Sequence, residues 1–176
     1  MSTKVITGKV RLSYCHVFEP AAISEGQEPK YSVSIIIPKS DKATLDKINK
    51  AVEEAKQEGK TKFGGKIPGV LKLPLRDGDV ERPDDEAYAN SYFLNASSSV
   101  QPGIVDKNRD EIMIKTEFYS GCYGRASIIF YAFNTSGNKG IAVGLNNLQK
   151  LEDGEPLGGV RASAQDDFAD DDDDLA

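Results

Sequence analysis

Rings and cations set at alternating positions are the residues of this chain most able to do chemistry. In YSGCYGRASIIFYAFNTSGNKGIAVGLNNLQKL, residues 119–151, Arg125, Ser127, Ile129, Tyr131 and Phe133 alternate with Ala126, Ile128, Phe130 and Ala132. A strand here is apolar on both faces, with Arg125 leading one of them. Aromatic rings accept bases by stacking, and Lys or Arg pairs with phosphates, which is how a single-stranded polyanion is held. The same rings serve equally as sheet core or subunit contact, and alternation does not separate these readings. The candidate rings are Tyr92, Tyr123, Tyr131 and Phe133, with Phe63 as a mobile one; the candidate phosphate contacts are Lys9, Arg11, Lys62, Lys66, Lys72, Arg76 and Arg125.

Two other chemistries are weaker. Asp77, Asp79, Asp84, Asp85 and Glu86 could supply a metal-dependent nuclease, but they fall in a turn-rich stretch with Pro83 and match no calcium-loop spacing. Cys15 and His16 are adjacent, so in a strand they point to opposite faces and make a poor nucleophile pair. Cys15 and Cys122 are expected to be buried reduced thiols. No metal, cofactor or catalytic residue is expected.

The elements that must position the rings can be read in chain order. Lys9 to Phe18 predicts a half-buried strand with Val10, Leu12 and Tyr14 inward and Lys9 and Arg11 side by side on the exposed face. Tyr31 to Ile37 predicts a second strand, ended by Pro38. Ser40 or Asp41 caps a helix running to Glu58, with Gly59 as its stop and Leu45, Ile48, Val52 and Ala55 as its inward stripe. Residues 60–82 form a basic loop loosened by Gly64-Gly65. Ser91 to Asn95 and Glu111 to Phe118 add strands, and the turn 134–138 joins the last two into a hairpin. Gly121 and Gly124 permit a tight turn or a close backbone approach.

At 176 residues the chain suits one domain, and the pattern stops after Leu151. The net charge of −6 is misleading: Asp166, Asp167, Asp170, Asp171, Asp172, Asp173 and Asp174 carry seven charges, and without them the balance is +1. Residues 1–150 alone hold 21 basic and 18 acidic groups, so an acidic tail is attached to a mildly basic body. No run of about 18 apolar residues and no leader precedes the first strand, which predicts a protein that stays in its compartment of synthesis.

The blocks VRLSYCHVFEP (10–20), KYSVSIIIPKSD (30–41), GGKIPGVLKLPLRDGDVERPDDEAYANSYFLNA (64–96), QPGIVD (101–106) and the stretch 119–159 resemble a phage and prophage family of formerly unknown function. That family is similar to the single-stranded DNA-binding protein of phage T7. The resemblance implies a mainly β fold, an OB-fold or five-stranded antiparallel Greek-key barrel with one inserted helix and loop elaborations, over residues 1–159. It implies a disordered acidic tail over 160–176, with Phe168 and Leu175 as isolated hydrophobes, that recruits replication, recombination or repair proteins and masks the cleft when DNA is absent. A homodimer, single-stranded DNA as ligand without sequence preference, no membrane partner and the cytoplasm of the bacterial host are implied with it. The rival reading is a protein-interaction or DNA-mimicking module that uses the same tail without binding DNA.

Overall fold

The computed structural model describes residues 3–22, 26, 28–135 and 137–157. The strands are β1 (Lys4–Ile6), β2 (Val10–Ala21), β3 (Lys30–Pro38), β4 (Arg76–Asp77), β5 (Ser91–Ser98), β6 (Gly103–Val105), β7 (Tyr123–Thr135) and β8 (Asn138–Glu152). Two helices, α1 (Lys42–Glu58) and α2 (Gly78–Glu81), and short 3-10 turns at Glu86–Tyr88 and Lys115–Glu117 complete the order. The acidic tail from Asp166 to Leu175 lies outside the described residues.

These strands form one eight-stranded sheet in the order β1-β7-β2-β3-β5-β8-β6, with β4 on β5 and an additional β7–β8 pairing. This corrects the expected five-stranded antiparallel barrel. Strand β8 runs parallel to both β5 and β6, and β1, β4 and β6 are short strands that the five-strand count omits. The physical reason is the long final hairpin: thirteen paired positions hold β8 antiparallel to β7, and that makes β8 run in the same direction as β5 where the two meet at Ser97 and Gly144. A further correction concerns 111–118: only Glu111 makes a strand-like bridge, to Val105, and the chain then turns through Lys115–Glu117. Ile112 is buried in the core as its parity suggests, but Ile114 is exposed like Met113, so the alternation does not continue beyond Ile112.

Helix α1 forms where the caps predict. Asp41 accepts a hydrogen bond from the Thr44 amide, and the Gly59 amide donates to Ala55 O. Thr44, Leu45, Ile48, Ala51, Val52 and Ala55 are buried, at the i, i+3, i+4 spacing that gives one inward face. They meet the inward residues of the sheet, among them Leu12, Val33, Ile35, Ile37, Leu94, Ile128 and Phe130. Full burial of one such aliphatic side chain stabilises the fold by about 1.5–3 kcal/mol.

The opposite face of β3 and β5 carries a second, smaller cluster of Ile36, Tyr88 and Phe93. Tyr88 comes from residues 77–90, which fold back over this outer face. Three carboxylates hold that flap in shape: Asp77 accepts from the Asp79 amide, Asp79 from the Asn90 amide, and Asp85 from the Ala87 amide. Lys39 pairs with Asp77 at 2.9 Å and with Asp79 at 2.8 Å. The Lys39 ammonium and the Asn90 amide hold the Asp79 carboxyl below its ordinary value of 3.8.

Candidate nucleic-acid interface

The outer face of β2, β3 and β5 is built from residues brought into register. Arg11, Ile36 and Phe93 lie in one row, Ser13, Ser34 and Asn95 in the next, and His16, Ser32 and Ser97 in a third. Rows of this kind put directly opposite side chains on one face. The flap covers the first row with Tyr88, whose ring meets Phe93 edge-on at 5.0 Å and whose hydroxyl shares a 3.0 Å hydrogen bond with Ser34 Oγ. Burial pushes the Tyr88 hydroxyl up, opposed by that contact. On either side of the flap the face is open.

The first opening is a recess of about 310 Å³ lined by Lys9, Arg11, Ile36, Ala87, Ser91 and Tyr123, among others. Lys9 Nζ and the Arg11 guanidinium lie 5.2 and 5.3 Å from the centre of the Tyr123 ring. Both cations are also tethered. Lys9 pairs with Glu152 at 2.6 Å, and Arg11 donates to Gly121 O at 3.2 Å and Glu155 O at 2.8 Å. The second opening is a groove of about 380 Å³ with Tyr14, Arg82, His16, Ser32, Asn95 and Ser97 in its lining. Its ring, Tyr14, is 46% exposed and has φ 47°.

That conformation arises from a bulge. Register between β2 and β3 shifts between Ser13 and His16, so the inward residues change from Val10 and Leu12 to Cys15 and Val17. Tyr14, expected inward by period two, is thereby turned out. The parity change between Leu12 and Val17 was a signal present in the sequence.

Among the other expected site residues, Tyr92 lies under Lys39 at 5.2 Å. Phe63, expected to be mobile, is buried at 4% exposure in the main core. Lys62 reaches Ala132 O at 3.2 Å, and Lys72 is held by its backbone against Lys139 and Ile141, so the basic loop packs on the β7–β8 hairpin. Lys66 is exposed. Arg76 pairs with Glu81 at 3.5 Å. Arg125 is exposed and donates to Thr7 O at 2.9 Å. Tyr131 is exposed and Phe133 half-buried, and neither lines the two openings.

The rival chemistries find no support in this geometry. Asp77, Asp79 and Asp85 are engaged in caps and ion pairs, and no group of three metal-ligating side chains converges among the described residues. Cys15 packs against the core while His16 faces the groove. Among the described residues, no helix is long and apolar enough to cross a membrane.

A sheet face that sets rings and cations around two openings has the chemistry to bind a flexible polyanion. The chain belongs to the Enterobacter phage Enc34 ssDNA-binding protein family, whose model matches residues 3–176. It is similar to the single-stranded DNA-binding protein from bacteriophage Enc34 in complex with ssDNA, with 28% identity, a TM-score of 0.79, and 89% of this chain and 90% of that chain covered. The crystal structure of the single-stranded DNA-binding protein of bacteriophage T7 shares the fold, with a TM-score of 0.61 at 15% identity over 97% and 94% of the two chains. Protein p50 of Acyrthosiphon pisum secondary endosymbiont phage 1 is 29% identical, over 95% of this chain and 93% of its own.

Proposed function

We propose that this chain is a phage single-stranded DNA-binding protein that acts stoichiometrically rather than catalytically. The observation that carries the reading is the similarity, over nine-tenths of both chains, to a protein solved with single-stranded DNA. Its support within the chain is the outer face of β2, β3 and β5, where rings and cations flank two openings. Stacking accepts every base and phosphate pairing ignores sequence, so little base preference is expected. Lys9, Arg11 and Tyr123 form one end of the proposed path. Lys62, Lys66, Lys72, Arg76, Tyr92, Arg125, Tyr131 and Phe133 remain proposed contributors for a strand that extends beyond it. Phe63 would contribute only by leaving the core.

Finer features belong to the same proposal. The protein acts in DNA replication, recombination or repair in the cytoplasm of the bacterial host, as a homodimer. The tail residues Asp166, Asp167, Phe168, Asp170 to Asp174 and Leu175 recruit partner proteins and compete with DNA for the basic face.

Fluorescence anisotropy tests the reading with a labelled single strand of about 30 nucleotides and its duplex. Full-length protein and protein ending at Gly159 are compared at two salt concentrations. Preference for the single strand, weakened by salt and tightened by truncation, is the expected result. Failure of both forms to bind at low salt would transfer the same fold to the protein-interaction reading.

A further inference from the structure

We infer that Tyr14 and Arg82 form a single-nucleotide subsite at the groove end of the outer face, with Tyr14 stacking a base and Arg82 holding the adjoining phosphate. The inference rests on the single-stranded DNA reading and names residues that period-two analysis does not select.

Three independent observations converge on it. The first is backbone conformation. Tyr14 adopts φ 47°, a left-handed conformation that a bulky aromatic residue rarely takes. Such outliers cluster where function requires a side chain to be re-aimed. Here the bulge lifts the ring off the core side and leaves nearly half of it in solvent, at the mouth of the groove.

The second is Arg82. Its guanidinium lies 5.6 Å from the Tyr14 ring centre, 5.3 Å from Tyr88 and 5.5 Å from Phe93. Three rings contact the group, and rings do not neutralise its charge. Among the described residues no carboxylate pairs with Arg82, in contrast to Lys9, Lys39, Lys56, Arg76, Lys115 and Lys150. A planar guanidinium already ordered by stacking loses little freedom when a phosphate arrives.

The third is the floor. Ser32, Asn95 and Ser97 are small polar residues on the same face as His16, so the groove has depth and can hydrogen-bond a base edge or sugar. Its volume of about 380 Å³ lies in the range of small-ligand sites. Ala21, Ala22, Val33 and Ala96 add apolar surface to the lining, which suits the face of a base, while the hydroxyls and the amide suit its edge or its sugar.

The test uses the full chain, whose intrinsic emission comes from seven tyrosines and no tryptophan. Oligo-dT is titrated while tyrosine quenching and anisotropy are recorded together. Tyr14→Gly, which accepts the left-handed conformation but removes the ring, is expected to bind about 5- to 150-fold more weakly. Tyr14→Phe should keep the affinity within about twofold, because its ring still stacks, and lose part of the quenching amplitude. Arg82→Ala should lower the slope of log affinity against log salt by about 0.7, the contribution of one phosphate on a single strand. Lys47→Ala, on the exposed side of α1, should change neither quantity. If Tyr14→Gly fails to fold by circular dichroism, the Tyr14→Phe quenching and the Arg82→Ala slope still decide. Wild-type protein that ignores single strands overturns the underlying reading. Wild-type protein that binds, beside folded Tyr14 and Arg82 variants that bind with its affinity, quenching and slope, overturns the subsite alone.

Discussion

Each titratable or ring-bearing residue behaves according to what its neighbours leave uncovered. Cys15 is half-buried in packing, yet burial and the nearby Cys122 push its thiol up to about 12, against a smaller opposing contact from Ser120. Burial likewise raises Cys122. Only the thiolate attacks, so neither cysteine should react with iodoacetamide in native protein at pH 8, whereas both should after denaturation; mass spectrometry counts the adducts. Rapid native labelling of Cys15 would contradict that environment. Two cysteines and one histidine supply no four-ligand site, which is why the sequence points to free thiols; Cys122 is buried and Cys15 half-buried. Tyr14 is missed by a strict period-two template, which passes over the parity change between Leu12 and Val17 that marks the bulge. Arg82 was legible as a basic residue of its loop but not as a contact, since its place over three rings depends on the flap folding back.

At the scale of elements, structure is legible in the sequence where its signals are local. The Asp41 cap, the inward stripe and the Gly59 stop specify α1 within a few residues, and the last hairpin follows from alternation on both sides of its turn. Long-range pairing was not readable: nothing in Gly103–Val105 announces that it lies parallel to β8. The expected close approach at Gly124 is real, since a Cβ there would stand 2.1 Å from Gln149 O. Gly124→Ala must therefore push β7 from β8 and should destabilise the protein by about 1–3 kcal/mol, seen as a lower denaturant midpoint. The flap is sensitive to acid through Asp79. Its carboxyl titrates below 3.8 when folded, so its contribution is present above that value and lost as pH falls through the lower folded one. Asp79→Asn should lower the melting temperature at pH 7, and the deficit should shrink only below about pH 3.8. A deficit that stays constant with pH would assign Asp79 a purely steric role.

For the whole molecule, uneven charge matters more than its sum. A body of +3 over residues 1–150 carries a net charge opposite to that of the complete chain, so isoelectric point alone would misjudge its partners. Several cations are engaged by carboxylates within the fold, which limits the number free to meet phosphates. A modest salt slope is therefore expected, and each removed phosphate contact lowers it by about 0.7. The sheet's outer strand also has a protective role. Val5 of β1 is buried, and Thr3 and Thr7 bond with Phe130 and Ala126 along the edge of β7. Deleting residues 1–8 would leave that edge unpaired and should produce concentration-dependent aggregation, measurable by light scattering.

The flap has one more consequence, for the strand itself. Ala87 lines one opening and Arg82 the other, with Tyr88 seated between them on Ile36 and Phe93. On the proposed path an oligonucleotide would step over this ridge, and its nucleotides would fall into two shielded runs with an interruption. Permanganate oxidation of bound oligo-dT should record that interruption as a reactive thymine between two protected blocks, whereas a smooth trough would shield every thymine alike.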